Sequence, residues 1–179
     1  IFFLKTHLEL KKIYNNVLTL IIPRHIERSN KIFSECKNLN LNIEILENIS
    51  DVKEDTEVIV IKSFGNMIDI FNYSKSVFMG KSLIESLKEV GGQNPIEPVA
   101  LALPLVMGPN NQNFRETCFD LLSHNALLVG KNAAETKMHL LRLSKDESLR
   151  EEMKNNCTSW MQKQGTPSEF TYSYIIEKL

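Results

Sequence analysis

The chain has 179 residues, of which 42% are apolar and 24% charged, and its formal net charge is −1. This composition is ordinary for a globular protein with one sizeable core, and the near-neutral charge argues against a nucleic-acid-binding surface. The longest apolar runs, at 17–22 and 99–107, are too short to span a bilayer. Because the chain begins with Ile1 rather than Met, we expect it to be part of a longer protein.

Hydrophobic patterning predicts that helices and strands alternate along the chain. The predicted elements, in order, are a helix at 2–14, a strand at 17–22, a helix at 25–38, strands at 41–46 and 57–62, a helix from about 65, a strand at 76–79, a polar loop at 81–93 leading into a helix after Asn94, a strand at 104–107, a helix at 112–123, a strand at 126–129, and helices at 131–143, 146–163 and 168–178. Apolar strands separated by helices indicate an α/β protein. We expect a Rossmann-like parallel sheet of about six strands with helices on both faces, forming a single domain over 1–179.

Polar or glycine-bearing loops follow four of the predicted strands. These loops are 23–25, 63–66, 80–82 and 108–110. Since the carboxyl ends of parallel strands meet at one edge of a sheet, where ligands bind, the loops predict a binding edge but do not identify its ligand. Arg24 can clamp a phosphate or carboxylate there, although an ordinary solvated arginine is an equally good interpretation.

The segment 91–98, GGQNPIEP, is the most distinctive stretch of the sequence. Its two glycines permit a tight turn, Asn94 can cap a helix, and Pro95 suits the first helical position. Free N–H groups at a helix tip favour an anionic or hydroxyl-rich ligand, and the Glu97 carboxylate can accept hydrogen bonds from two sugar hydroxyls. An ordinary capped helix explains the same residues equally well.

Several enzyme classes lack their sequence signatures here. The segment 80–82 fails as a phosphate-binding loop because position 75 is Lys where that motif needs glycine, and neither GxGxxG nor GxSxG occurs. A nucleoside triphosphatase, a dinucleotide oxidoreductase and a serine hydrolase are therefore disfavoured. Cys36, Cys118 and Cys157 have no metal-ligand spacing with one another or with the histidines, so we expect free thiols and no metal.

Five segments in the order PRHIER, SFGNM, GKSL, GGQNPIEP and GPNNQNFRE carry a family resemblance. Together they are similar to the C-terminal domain of bacterial 3-deoxy-D-manno-octulosonic acid (Kdo) transferases, which assemble the lipopolysaccharide core. The similarity covers nearly the whole chain and is densest between 91 and 116. It implies one lobe of a GT-B glycosyltransferase, the lobe that binds the donor CMP-Kdo, with no metal or other cofactor.

In this family the N-terminal lobe binds the acceptor, a lipid A precursor, and carries the catalytic carboxylate. The resemblance therefore implies that this chain is a donor-binding fragment without catalytic residues, inactive and soluble by itself. The full-length transferase would work at the cytoplasmic face of the bacterial inner membrane. Two alternatives stay open, namely a GT-B lobe that uses another nucleotide sugar and a non-catalytic Rossmann-like binding module.

The resemblance also implies roles for individual residues. Arg24, beside Pro23, would meet the CMP phosphate, and Glu97 would bind the ribose hydroxyls. The other implied donor-binding residues are Phe64, Gly65 and Asn66 at the nucleotide, Gly91 and Gly92 as points of close approach, Asn94, Pro95 and Ile96 beside Glu97, and Ser82 near the sugar. Asn66 and Lys81 depart from the family, which has Glu and Gly at these positions, and Asn113 and Phe114 belong to a motif to which no role is assigned.

Overall fold

The computed structural model describes residues 2–47, 52–62, 67–165 and 175–176. The chain divides into two units, a first unit of residues 1–73 and a second unit of residues 74–179, and each has its own three-stranded parallel sheet. Except for 175–176, which are helical, the predicted helix at 168–178 lies outside the described residues. In the part of the chain that is described, no helix combines the length and apolarity needed to cross a bilayer.

The first unit is a sheet covered by helices on both faces. Its elements are α1 (Phe2–Lys11), β1 (Thr19–Ile21), α2 (Ser29–Asn38), β2 (Ile43–Leu46), β3 (Val58–Ile61) and α3 (Met67–Asn72). The strand order is β1-β3-β2, so β3 is central and all four of its residues are buried. Val58 and Val60 pack with side chains of α1 and α2, whereas Ile59 and Ile61 pack with Ile70 of α3.

The second unit repeats this plan. Its elements are β4 (Val77–Phe78), α4 (Ile96–Ala100), β5 (Leu105–Met107), α5 (Arg115–Ser123), β6 (Leu127–Val129), α6 (Ala133–Lys145) and α7 (Glu147–Gln164), with strand order β4-β5-β6. Leu105 and Met107 pack in a core with residues of α5 and α7, whereas Val106 packs with Leu143 of α6 and Met153 of α7. Helices therefore cover both faces of this sheet, and the carboxyl ends of its three parallel strands lie at one edge.

The Rossmann-like α/β prediction is confirmed, but the single six-stranded sheet is wrong. All six predicted strands exist, each shorter than the apolar run that predicted it. Among the described residues, ladder hydrogen bonds join β1, β3 and β2 in one sheet and β4, β5 and β6 in another. An apolar run predicts that a strand forms, but it carries no information about which strand becomes its partner. The single-domain assignment stays a prediction.

Two helical boundaries also differ from the prediction. The helix expected over 25–38 begins with a 3₁₀ turn, Ile26–Arg28, before α2 starts at Ser29. The polar loop expected over 81–93 contains a 3₁₀ segment, Glu85–Val90, which has no buried residue. Short 3₁₀ segments bury too little to produce an apolar period that a sequence could reveal.

The three cysteines are free and buried, which confirms the expected free thiols. Burial raises the pKa of Cys36, Cys118 and Cys157 to about 11 in each case. Since the thiolate is the reactive form, these side chains act as small apolar groups at neutral pH.

His7 is expected to make stability depend on pH. The side chain is 1% exposed, its Nδ1 lies 2.9 Å from Thr19 Oγ1, and its buried Nε2 has no hydrogen-bond partner among the described residues. Burial lowers the His7 pKa below 6.5, opposed by the charge of Glu57. The unfolded chain therefore binds the proton first, and the free energy of unfolding should fall as pH drops below about 6.5.

The measurement is urea denaturation of the parent protein and of His7→Leu at pH 7.5 and pH 5.5. We expect the parent to lose stability between these two pH values and His7→Leu to lose less, because leucine takes up no proton. An equal loss in both proteins would mean that other groups carry the pH dependence.

Candidate functional site

Gly91 and Gly92 form a buried turn beside the loop that follows β5, and we call this pair the glycine hinge. Gly91 has extended backbone angles, φ −72 and ψ 162, but a Cβ there would lie 2.7 Å from both the Cβ and the carbonyl oxygen of Asn110. Gly92 has φ +85, in the left-handed region that favours glycine. Glycine is therefore required at position 91 because a Cβ has no space there, and it is favoured at position 92 because of the backbone angle. The close approach seen here is to Asn110 of the same chain, and the approach to a donor stays a prediction.

The residues after the hinge lead into α4, which begins at Ile96, one residue later than predicted. Pro95 precedes it with helical angles, φ −80 and ψ −14. The Asn94 side chain accepts a hydrogen bond from the Ile96 N–H at 3.1 Å, and its Nδ2 lies 3.5 Å from Glu97 Oε1. Asn94 therefore supplies the capping oxygen, as expected, and stands beside the exposed side chain of Glu97.

The helix tip offers fewer free N–H groups than the sequence suggested. Pro95 and Pro98 have none, and the Ile96 N–H is already bonded to Asn94. In addition, α4 has only five residues, so its dipole is small. The expectation that several free donors gather here is therefore wrong. What this tip presents is the Glu97 carboxylate, an acceptor suited to hydroxyl groups.

Ser82 connects the carboxyl ends of β4 and β5. Its side chain is fully buried, and its hydroxyl donates to the Met79 carbonyl at 2.7 Å and accepts from the Gly108 N–H at 2.8 Å. A Cβ on Gly108 would lie 2.3 Å from the Ser82 carbonyl oxygen, so the two loops pack without spare room. The hydroxyl proton is thus used within the fold, which favours a structural role. The predicted contact of Ser82 with a donor sugar is untested.

Lys81 occupies a conformation that suits glycine. Its φ is +65, which costs a residue with a Cβ about 1 kcal/mol. Glycine would adopt this angle without that cost. Lys88, a second basic residue of the segment between β4 and the glycine hinge, has its Nζ 3.4 Å from Glu85 Oε1 and is thereby partly neutralised. Within the described ranges, no three His, Cys, Asp or Glu side chains gather as a metal ion would require.

Two asparagines hold the hinge segment: Asn110, from a loop of the predicted binding edge, and Asn113, to which the sequence assigned no role. The Asn110 Nδ2 donates to the Ile84 carbonyl at 3.1 Å, and the Asn113 Nδ2 donates to the Val90 carbonyl at 3.1 Å. The Asn113 backbone N–H also donates to the Gly91 carbonyl at 3.4 Å. The two most distinctive motifs, GGQNPIEP and GPNNQNFRE, are therefore in direct contact.

The first unit carries the remaining predicted site residues. Pro23 and Arg24 follow β1 at its carboxyl end, and the Arg24 side chain is exposed. Next to them, His25 Nδ1 lies 3.3 Å from Glu27 Oε1. The predicted nucleotide contacts at Phe64, Gly65 and Asn66 lie outside the residues that the structure describes. The assignment of Arg24 to a phosphate therefore stays a prediction.

Comparison with known proteins identifies relatives of this chain, although no family model matches it. It is 31% identical over 132 residues to the 3-deoxy-D-manno-octulosonic acid transferase of Haemophilus influenzae and 24% identical over 140 residues to that of Aquifex aeolicus. These alignments cover 74% and 78% of this chain but 30% and 37% of the relatives. The chain thus spans about a third of the curated relatives it matches.

A solved structure covers more of the chain. The C-terminal CMP-Kdo binding domain of WaaA from Acinetobacter baumannii superposes with a TM-score of 0.79 and 26% sequence identity. The match covers 89% of this chain and 81% of that domain. The sequence relatives are named for the transfer of Kdo and the structural relative for the binding of CMP-Kdo, so both comparisons point to proteins that act on Kdo.

Proposed function

Because the chain belongs to the Kdo transferase family and corresponds to its C-terminal domain, we propose that it binds CMP-Kdo as the donor-binding lobe of a glycosyltransferase. The binding site in the second unit is the glycine hinge together with the helix tip at Asn94–Glu97. The name of the structural relative, a CMP-Kdo binding domain, supports this choice of ligand.

The observation that carries the proposal is the exposed carboxylate of Glu97 at the end of a rigidly held segment. The hinge is packed against Asn110, and the side chain of Asn94 caps the start of α4. A carboxylate on a backbone held in this way can accept hydrogen bonds from the two ribose hydroxyls of a nucleotide, one at each oxygen. Few free N–H groups remain at this tip, so it suits the uncharged ribose better than the phosphate.

Arg24 is the residue proposed for the phosphate. A guanidinium offers two parallel N–H donors to phosphate oxygens, and its charge stabilises the phosphate that leaves when the glycosidic bond breaks. Loss of CMP binding in Arg24→Ala would support this role.

The activity of the whole protein is part of the proposal. With a lobe that supplies the acceptor site and the catalytic carboxylate, the protein would transfer Kdo from CMP-Kdo to a lipid A precursor in lipopolysaccharide biosynthesis, at the cytoplasmic face of the bacterial inner membrane. This chain alone would bind the donor without turnover.

Titration of the chain with CMP, UMP and AMP, followed by calorimetry or by chemical-shift changes, tests the proposal. We expect CMP to bind most tightly. Equal weak responses to all three nucleotides would contradict it and favour a binding module without nucleotide selectivity. A preference for UMP would instead point to a transferase with another nucleotide sugar.

A further inference from the structure

The glycine hinge cannot hold its own shape. Neither glycine has a side chain, and the 3₁₀ segment Glu85–Val90 that leads into it buries no residue. Glycine also has the largest conformational freedom to lose when a chain is ordered. Contacts from outside this segment must therefore keep Gly92 at its φ of +85.

The loop after β5 supplies these contacts from a fixed base. Asn110 is 8% exposed, its backbone N–H donates to the Ser82 carbonyl at 3.0 Å, and its Nδ2 holds the Ile84 carbonyl at the start of the 3₁₀ segment. The missing Cβ of Gly91 lets the hinge lie directly on Asn110. This end of the segment is thus tied to the edge of the sheet.

Asn113 holds the other end. It lies in a 3₁₀ turn, Gln112–Phe114, and the neighbouring Phe114 packs against the core of the second unit. From this anchored turn, the Asn113 side chain bonds the Val90 carbonyl and its backbone N–H bonds the Gly91 carbonyl. One residue therefore contacts the two consecutive carbonyls that precede Gly92.

We propose that Asn113 is a positioning residue that holds the glycine hinge in its donor-binding conformation, an inference that rests on the proposed function. The residue itself need not touch the nucleotide. By fixing the Val90 and Gly91 carbonyls it removes the entropy that the hinge would otherwise lose when the nucleotide binds.

The test compares Asn113→Ala with a matched control, Asn156→Ala. Asn156 also lies in the second unit and also donates its side-chain amide to a backbone carbonyl, that of Asn125 at 3.3 Å. A third variant, Asn113→Gln, keeps the amide donor. Because the side chain of residue 113 is exposed, there is room for the additional methylene group.

Two readouts separate positioning from general stability. Hydrogen exchange of the backbone amide of residue 113, the donor to Gly91, reports the hinge contact, and the amide of Asn110, the donor to Ser82, is the internal reference. We expect Asn113→Ala to speed exchange at 113 and not at 110, and to weaken CMP binding about fivefold, the effect of one hydrogen bond of ordinary net strength. Asn113→Gln should restore both, and Asn156→Ala should change neither.

Unchanged exchange in Asn113→Ala would overturn the proposal, and so would faster exchange with unchanged CMP affinity. If the parent protein binds no CMP, the proposed function fails instead, and exchange at residue 113 then decides whether Asn113 holds the hinge.

Discussion

Replacing Gly91 by alanine is expected to destabilise the second unit by about 2–3 kcal/mol, the cost of forcing a methyl group into a filled space. The new Cβ would lie 2.7 Å from Asn110 atoms, one of them a backbone oxygen that cannot move without disturbing the loop after β5. The same displacement should weaken CMP binding. Urea denaturation measures the first effect and calorimetric titration the second.

Gly80→Ala is the matched control. Gly80 lies in the loop after β4 of the second unit, and a Cβ there would meet no atom of the described residues within 4 Å. We expect this variant to stay within about 0.5 kcal/mol of the parent protein and to bind CMP normally. If Gly91→Ala is as stable as Gly80→Ala, the hinge does not pack on Asn110 as described.

The sequence predicted the elements of this fold better than their arrangement. Each segment predicted as a strand contains one, because burial on both faces favours continuous branched residues, and β3 shows this most clearly. Which strands pair with each other was not predicted, because pairing depends on contacts between residues that are far apart in the sequence, and a local hydrophobic period contains no information about them. The 3₁₀ segment Glu85–Val90 was missed because it buries no side chain.

At the candidate site, too, the sequence predicted local features but not the contacts between residues that are distant in the chain. The GGQNPIEP motif revealed the turn, the cap and the exposed carboxylate, because glycine, asparagine and proline each have a local conformational reason to be there. Asn110 and Asn113 gave no such signal, since their partners are the carbonyls of Ile84 and Val90, which any residue has. The shortage of free N–H groups at the helix tip does have a local signal, since Pro95 and Pro98 carry no N–H.

Glu97→Gln is expected to weaken CMP binding about 10- to 100-fold. The substitution keeps the shape of the side chain but replaces one acceptor oxygen and removes the charge, and hydrogen bonds to charged groups contribute about 1.5–3 kcal/mol each. Glu116→Gln is the matched control, since Glu116 is also exposed and also lies in the first turn of a helix of the second unit. Each variant should lose at most a small stabilisation by its helix dipole, and only Glu97→Gln should lose CMP affinity.

The ribose contact itself is tested by changing the ligand as well as the protein. The parent should bind CMP more tightly than 2′-deoxy-CMP, because the deoxy compound lacks one of the two hydroxyls that Glu97 is proposed to hold. In Glu97→Gln this preference should shrink, since the hydroxyl and the carboxylate form a coupled pair whose interaction energy appears only when both are present. If the preference for CMP over 2′-deoxy-CMP is unchanged in Glu97→Gln, another group binds the ribose hydroxyl, and Glu97 has only a local structural role at the start of α4.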